Sequence, residues 1–332
     1  MQLMRAAVLD GPGQPLRVAR LPVPRPGPDE ILIRLEASGV CHSDVHVWDG
    51  HMVPISAPDP FVLGHEGVGR VAAVGADVRG WAVGDRAGAA WMHDACGHCH
   101  QCVSGHENFC LQHRAHGFDV PGTFAEYVIA KAAFAVPLPD GAAGDLAPLM
   151  CAGLTAFGAL ERADLRHGET CAIFGCGGLG LYAVQLAARR GARVLAVDAD
   201  PAKLELARRM GAADVALAGE APPDAAADVT VNFAPTPRTW DAMVAVTRPL
   251  GRIVAAAMVA DPVTLSQEWL ISTGISVTGT SVGTRRQMQA LMALHAEIPL
   301  RSEIHEIALE DATAALAALA QGRARGRYCI RF

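Results

Sequence analysis

The chain has 332 residues with 28 lysines and arginines against 34 aspartates and glutamates, and the resulting formal charge of -6 is spread along it rather than gathered in blocks. That balance excludes a basic face for nucleic acid, and 51% hydrophobic with 19% charged residues is the composition of a soluble globular protein. The length accommodates two domains, each large enough to bury a core.

Met1–Asp10 has no long apolar run after a basic start, and no small-residue cleavage pattern follows it. No secretory signal is expected, and the protein is placed in the cytoplasm. From Arg5 to Val136 short strand-like runs dominate, among them Ile31–Leu35, Val68–Val74 and Phe124–Ile129, punctuated by Gly and Pro. They predict an irregular all-β region.

Nine cysteines are many for a reducing compartment, and Cys96, Cys99, Cys102, Cys110 and Cys151 fall within one third of the chain. Metal ligation explains them better than disulfides. Cys96-x2-Cys99-x2-Cys102-x7-Cys110 offers four thiolates in a segment too rich in Gly and His to form a core. Four sulfurs with no open position predict a structural zinc, with an iron–sulfur cluster as the alternative. His93, His98, His100 and His106 lie in the same lobe and read as surface histidines, because four cysteines already saturate a tetrahedral site.

A second constellation is dispersed: Cys41-His42-Ser43-Asp44-Val45-His46, then Gly64-His65-Glu66, then Cys151. Cys41, His65 and Cys151 would supply two thiolates and an imidazole, leaving the fourth position of a catalytic zinc open for a substrate oxygen. Glu66 is either a further ligand or a neighbour of the ligands. Asp44 is placed to hydrogen-bond a ligating histidine and fix its tautomer.

After Ala147 apolar strands alternate with longer helical segments: Thr170–Phe174, Leu179–Arg190, Arg193–Val197 and Pro201–Met210. Further strands are expected at Asp214–Leu217, Val229–Phe233, Arg252–Ala256 and Ser276–Thr280, completing a doubly wound sheet of six. Thr170–Ala188 is uncharged and about long enough to span a bilayer, but Gly175, Gly177, Gly178, Gly180 and Gln185 interrupt it, so no membrane span is expected. The segment instead reads as a strand entering Gly175-x-Gly177-x-x-Gly180 and then a helix. In that context the glycines form the tight turn, let the backbone approach a pyrophosphate, and allow close packing of helix on strand.

Eighteen residues after Gly180, Asp198 ends the next strand, where an acid binds ribose hydroxyls and repels a 2′-phosphate; NAD is favoured over NADP. Cys171, Cys176 and Cys329 read as small buried hydrophobes rather than redox sensors. The tail from Arg285 is helical, with an amphipathic stretch at Asp311–Leu319, and ends in a strand at Arg327–Phe332. A zinc-ribbon module acting on nucleic acid or protein would explain only Cys96–Cys110. A zinc-free reductase would leave Cys41, His65 and Cys151 without a purpose.

On these residues the chain resembles the zinc-dependent medium-chain alcohol dehydrogenases, especially the shorter bacterial and yeast-like forms, over nearly its whole length. The resemblance is carried by Gly64-His65-Glu66-x2-Gly69-x5-Gly75, the four-cysteine lobe, Gly122-Thr123-Phe124-Ala125-Glu126-Tyr127 and the glycine fingerprint. It implies an α/β plus β fold: a GroES-like catalytic domain of residues 1–151 and 283–332, and a Rossmann NAD-binding domain of residues 152–282 with a doubly wound parallel sheet. It also implies two Zn2+ per chain, NAD as coenzyme, and hydride exchange with an alcohol, aldehyde or ketone. No nucleic-acid or membrane partner is expected, and the chain should form a homo-oligomer, a tetramer in preference to a dimer. The alternative is another zinc-dependent medium-chain reductase that acts on a non-alcohol substrate with NAD(P)H.

By the same resemblance Ser43 would hydrogen-bond the alcohol, and His46 would end a proton relay that passes through the nicotinamide ribose. Thr155 and Leu179 would lie against the nicotinamide, Lys203 beside Asp198 at the adenosine ribose, and Arg327 near the pyrophosphate. Trp48 and Trp91 would narrow the substrate pocket. The Pro-containing loop from Gly50 to Asp59 departs from a fixed family pattern and is expected to border the substrate cleft.

Overall fold

A computed structural model describes residues 2–54, 57–220 and 227–332. Two residues of the loop expected beside the substrate cleft, Ile55 and Ser56, lie outside the described residues. The chain divides into two compact units, the first made of Met1–Cys151, Thr284–Pro299 and Glu303–Phe332, and the second of Ala152–Gly283 with Leu300–Ser302. The expected return segment 283–332 is thus interrupted. Gln185 explains the interruption: its side chain donates to the Arg301 carbonyl at 2.8 Å and accepts the Arg301 N–H at 2.9 Å, drawing Leu300–Ser302 to the second unit.

In the first unit strands β1 (Leu3–Val8) and β2 (Arg17–Pro22) form an antiparallel ribbon. Then come β3 (Glu30–Gly39), helix α1 (His42–Trp48), β4 (Glu66–Val74), β5 (Arg86–Ala89) and β6 (Met92–Asp94). The cysteine lobe contributes α2 (His100–Val103) and β7 (Arg114–Ala115), and the segment closes with β8 (Tyr127–Lys131), β9 (Val136–Pro137) and α3 (Ala143–Leu146).

The second unit runs α4 (Ala152–Arg162), β10 (Thr170–Phe174), α5 (Gly180–Arg189), β11 (Arg193–Asp198), α6 (Pro201–Arg209), β12 (Asp214–Leu217) and β13 (Ala227–Asn232). It continues with α7 (Trp240–Val246), β14 (Thr247–Ala255), α8 (Gln267–Thr273) and β15 (Ser276–Gly279). The returning segment adds α9 (Arg285–Glu297), β16 (Ile304–Ile307), α10 (Ala312–Ala320) and β17 (Arg327–Arg331) to the first unit.

Period-two alternation makes β3 the spine of the first unit: Ile31, Ile33, Leu35 and Ala37 are buried, while Arg34 is exposed. Its sheet runs β16-β17-β3-β4-β5-β9, with β8 pairing the first half of β3 and β17 the second. Phe124 falls outside the strand expected at Phe124–Ile129, which begins only at Tyr127. It is fully buried in the preceding turn and its carbonyl accepts the Ala7 N–H at 2.8 Å.

The second unit holds six strands in the order β12-β11-β10-β13-β14-β15, every pair parallel. Burial on both faces requires nearly continuous apolar strands, and Thr-Cys-Ala-Ile-Phe in β10 and Val-Leu-Ala-Val in β11 supply them. The uncharged run Thr170–Ala188 is therefore divided between β10 and α5. Among the described residues no single helix is long and apolar enough to cross a membrane.

Candidate functional site

Strand register assembles the dispersed constellation. β3 pairs antiparallel with β4 so that Gly39 faces Glu66, and with β17 so that Gly39 faces Cys329. Continuing each ladder past Gly39 brings Cys41 level with the Gly64–His65 approach on one side and with Arg327 on the other. Cys151, which ends the 3-10 turn Ala147–Met150, completes the cluster. The ligand atoms of Cys41, His65, Glu66 and Cys151 all lie within 4.8 Å of one another, and all four residues are buried. Gly39 is required here because a side chain would strike the Glu66 carboxylate.

Asp44 organises the group. Its carboxylate accepts the Cys41 N–H at 2.8 Å, closing the first turn of α1, and the Gly64 N–H at 3.2 Å. His65 Nδ1 stands 3.0 Å from the same carboxylate. An Nδ1–H donated to Asp44 leaves Nε2 with its lone pair, and Nε2 is buried with no hydrogen-bond partner among the described residues. Glu66 is ion-paired with Arg327, 0% and 4% exposed respectively, so the arginine expected at a pyrophosphate has its guanidinium on this carboxylate.

The two sulfurs are 3.9 Å apart and share a proton. The Cys151 sulfur holds the Cys41 thiol well below its ordinary value, and Cys41 in turn, with burial, drives Cys151 well above its own. Burial pushes Glu66 up to about 7 against the pull of Arg327. For His65 burial opposes protonation, but Asp44 and Cys41 outweigh it and hold the imidazole well above its usual value. Two thiolates and a carboxylate cannot all ionise beside one guanidinium, whereas a dication would stabilise all three. The soft sulfur and nitrogen donors, with His65 Nε2 otherwise orphaned, fit zinc.

Ser43 Oγ lies 4.0 Å from the Cys41 sulfur. His46, one turn on, is half-buried, its ring 5.0 Å from that of His42 and 5.2 Å from that of His51. Burial first, then the like charges of His42 and His51, lower its pKa, so it is neutral at pH 7 and able to accept a proton. Trp91 meets the His65 ring edge-on at 4.9 Å and stacks on Phe118 at 6.1 Å. Trp48 packs into the hydrophobic core of the first unit, its indole N–H bound to the Gln14 carbonyl at 2.7 Å.

Cys96, Cys99, Cys102 and Cys110 form the second cluster, their sulfurs again within 4.8 Å. Backbone N–H groups of His98 and Cys99 pull Cys96 down to about 6, while burial and the other thiols push Cys102 up to about 12. Four sulfurs with no competing acid fit a closed tetrahedral zinc. His98, His100 and His106 are exposed. His93 is not: expected at the surface, it is 4% exposed and lies 3.0 Å from His116, because β6 turns it inward beneath the neck of the lobe.

In the second unit the glycine turn follows β10 directly. Gly175 has φ 89, and a side chain on it would strike Ala234. A Cβ on Gly180 would strike the Gly175 carbonyl, which brings α5 close against the strand. A Cβ on Gly177 would meet nothing within 4 Å, an open face suited to a pyrophosphate. Asp198 accepts the Cys176 N–H at 2.7 Å and the Asp200 N–H at 2.9 Å, which fixes its carboxylate at the end of β11. Leu179 precedes α5, Lys203 lies in the first turn of α6, and Thr155 is buried in α4. Cys171 and Cys329 are buried, and burial pushes both thiols up to about 12, which leaves them unreactive; burial likewise raises Cys176.

Sequence reasoning missed the Glu66–Arg327 pairing and the ion pair between Glu107 of the lobe and Arg285. Glu66 and Arg327 are 261 residues apart, so only the β3–β17 register reveals that they meet.

Residues 27–140 match the family model of the alcohol dehydrogenase GroES-like domain, and residues 178–297 that of the zinc-binding dehydrogenases. An alcohol dehydrogenase of Moraxella sp. (strain TAE123) is 34% identical over 337 residues, with 99% of each chain covered. The thermostable alcohol dehydrogenase from Pyrobaculum aerophilum superposes with a TM-score of 0.92 at 30% identity, covering 100% of both chains. Acetophenone reductase from Geotrichum candidum NBRC 4597, solved in complex with NAD, gives 0.89 at 29%, covering 100% of this chain and 98% of that one. With family models on both units and relatives matched from end to end, the chain belongs to the zinc-dependent medium-chain alcohol dehydrogenases.

Proposed function

We propose that the chain is an NAD-dependent alcohol dehydrogenase that carries two zinc ions and interconverts an alcohol with its aldehyde or ketone. The observation that carries this reading is the buried Cys41–His65–Cys151 cluster with an unpartnered imidazole nitrogen and an excess of potential anions. Bound there, zinc would supply Lewis acidity that lowers the pKa of a hydroxyl toward neutrality. The chain's own residues supply the rest. Asp44 sets the His65 tautomer, and Arg327 holds Glu66 beside the ligands.

Ser43 Oγ takes the substrate's hydroxyl proton, and neutral His46 receives it for release to solvent. Thr155 and Leu179 contact the nicotinamide, Gly175, Gly177, Gly178 and Gly180 the pyrophosphate, and Asp198 with Lys203 the adenosine ribose. Asp198 favours NAD over NADP by repelling a 2′-phosphate. Trp48 and Trp91 narrow the substrate pocket, with Phe118 stacked behind Trp91. Cys96, Cys99, Cys102 and Cys110 hold the second zinc as a structural staple. Boundaries of 1–151, 152–282 and 283–332, a cytoplasmic location and a tetramer complete the reading.

The test is metal analysis of the purified chain together with NAD reduction across primary, secondary and aromatic alcohols. Two zinc per chain and NAD reduction by at least one alcohol series are expected. One zinc per chain with no turnover in either direction would overturn it.

A further inference from the structure

One buried carboxylate has no part in the reading above. Glu107 lies in a single 3-10 turn, Glu107–Phe109, between the third and fourth cysteines of the lobe, and is 7% exposed. Its Oε1 accepts the Arg285 backbone N–H at 3.0 Å and Arg285 Nε at 3.3 Å. Arg285 is fixed twice more: Nη1 donates to the Ala133 carbonyl at 3.2 Å, and the guanidinium lies 4.3 Å from the Phe134 ring centroid. Arg285 opens α9, where unpaired N–H groups and the helix dipole favour a carboxylate.

The place of Arg285 along the chain gives this grip its meaning. β15 ends at Gly279, Gly283 is the last residue of that stretch of the second unit, and Thr284 begins the return. Between them Val282 is held at φ 46, a left-handed conformation that a β-branched side chain resists. Such strain persists only where the surroundings enforce it. β15 runs parallel with β14, β13 and β10, so residues 280–283 leave the sheet from the same carboxyl edge as the glycine turn. They leave from the opposite side of β10 to β11 and Asp198, the half of a doubly wound sheet that faces the nicotinamide end of a dinucleotide.

We propose that Glu107 is a positioning residue for coenzyme binding. Through Arg285 it holds the crossover 280–283 in its strained form, so the four-cysteine lobe governs how tightly NAD is held and not the chemistry at Cys41, His65 and Cys151. The inference rests on the NAD reading of the second unit.

Glu107→Gln, Arg285→Ala, the double variant and Arg285→Lys are compared with the parent as zinc-loaded full chains. NAD affinity is titrated without substrate, and KM for NAD is measured against kcat and zinc content. Loss of the charge-assisted bonds should weaken NAD binding about ten-fold in Glu107→Gln and in Arg285→Ala. Zinc content and kcat at saturating NAD should stay within about two-fold, Arg285→Lys should recover part of the affinity, and the double variant should be no worse than the weaker single. Unchanged NAD affinity in zinc-replete variants, or additive losses in the double, would overturn the proposal. If Glu107→Gln sheds zinc, Arg285→Ala decides, because it leaves the lobe's own residues intact. A parent chain that fails to bind NAD would sink the coenzyme reading instead.

Discussion

Asp44 joins three stretches of chain through one carboxylate: the start of α1, the Gly64 turn and the His65 ring. Asp44→Asn keeps the shape but places an amide where two backbone N–H groups and an imidazole N–H seek an acceptor. Partners of ligating histidines contribute about 10–100-fold to metal affinity, and a loss of that size is expected at the Cys41 cluster with the four-cysteine lobe unaffected. Competition with a zinc chelator, followed separately for the two sites, measures it. Ser43→Ala removes the hydroxyl without touching a ligand, so kcat should fall about 100-fold or more while NAD and zinc stay bound; steady-state rates equal to the parent's would rule the relay out. At this scale the sequence is most readable where chemistry needs a rare residue at fixed spacing, as in the four cysteines or the glycine turn. It is least readable where a residue's setting depends on distant chain, as for His93.

That histidine shows how an element carries a titration. β6 and β7 pair at the neck of the cysteine lobe, and beneath them His93 meets His116, whose Nδ1 is bound to the Ala90 carbonyl at 2.7 Å. Burial, then His116, pushes His93 down to about 3, against Asp94, while Arg114 and Lys131 push the same way as His116. Burial also lowers His116. The sign follows directly: below about pH 6.5 the unfolded chain binds protons that the folded chain refuses, so stability falls as pH falls. From His93 alone the loss should be about 2 kcal/mol by pH 5. Urea midpoints between pH 7 and pH 5 should therefore fall less steeply in His93→Gln than in the parent, and parallel slopes would exclude the pair as the cause. Elements of the second unit were legible because buried parallel strands need unbroken apolar runs and their helices alternate with them. Those of the first unit were less so: β6, β7 and β9 are two or three residues long, too short for any periodicity to register.

Across the whole molecule, the catalytic cluster depends on contacts that no local segment contains. Arg327 reaches Glu66 only when β17 lies against β3. Removing a partner from a buried ion pair typically costs about 3–5 kcal/mol. Arg327→Ala should therefore lower stability by that order in urea unfolding and reduce metal at the Cys41 cluster, leaving the lobe's metal in place; two zinc retained per chain would contradict it. The two metal clusters also differ in when they can exist. The lobe's ligands span Cys96 to Cys110 and can close as soon as that stretch leaves the ribosome. The other cluster must wait for nearly the last residues to be synthesised, so a nascent chain would carry its staple long before it could acquire any activity.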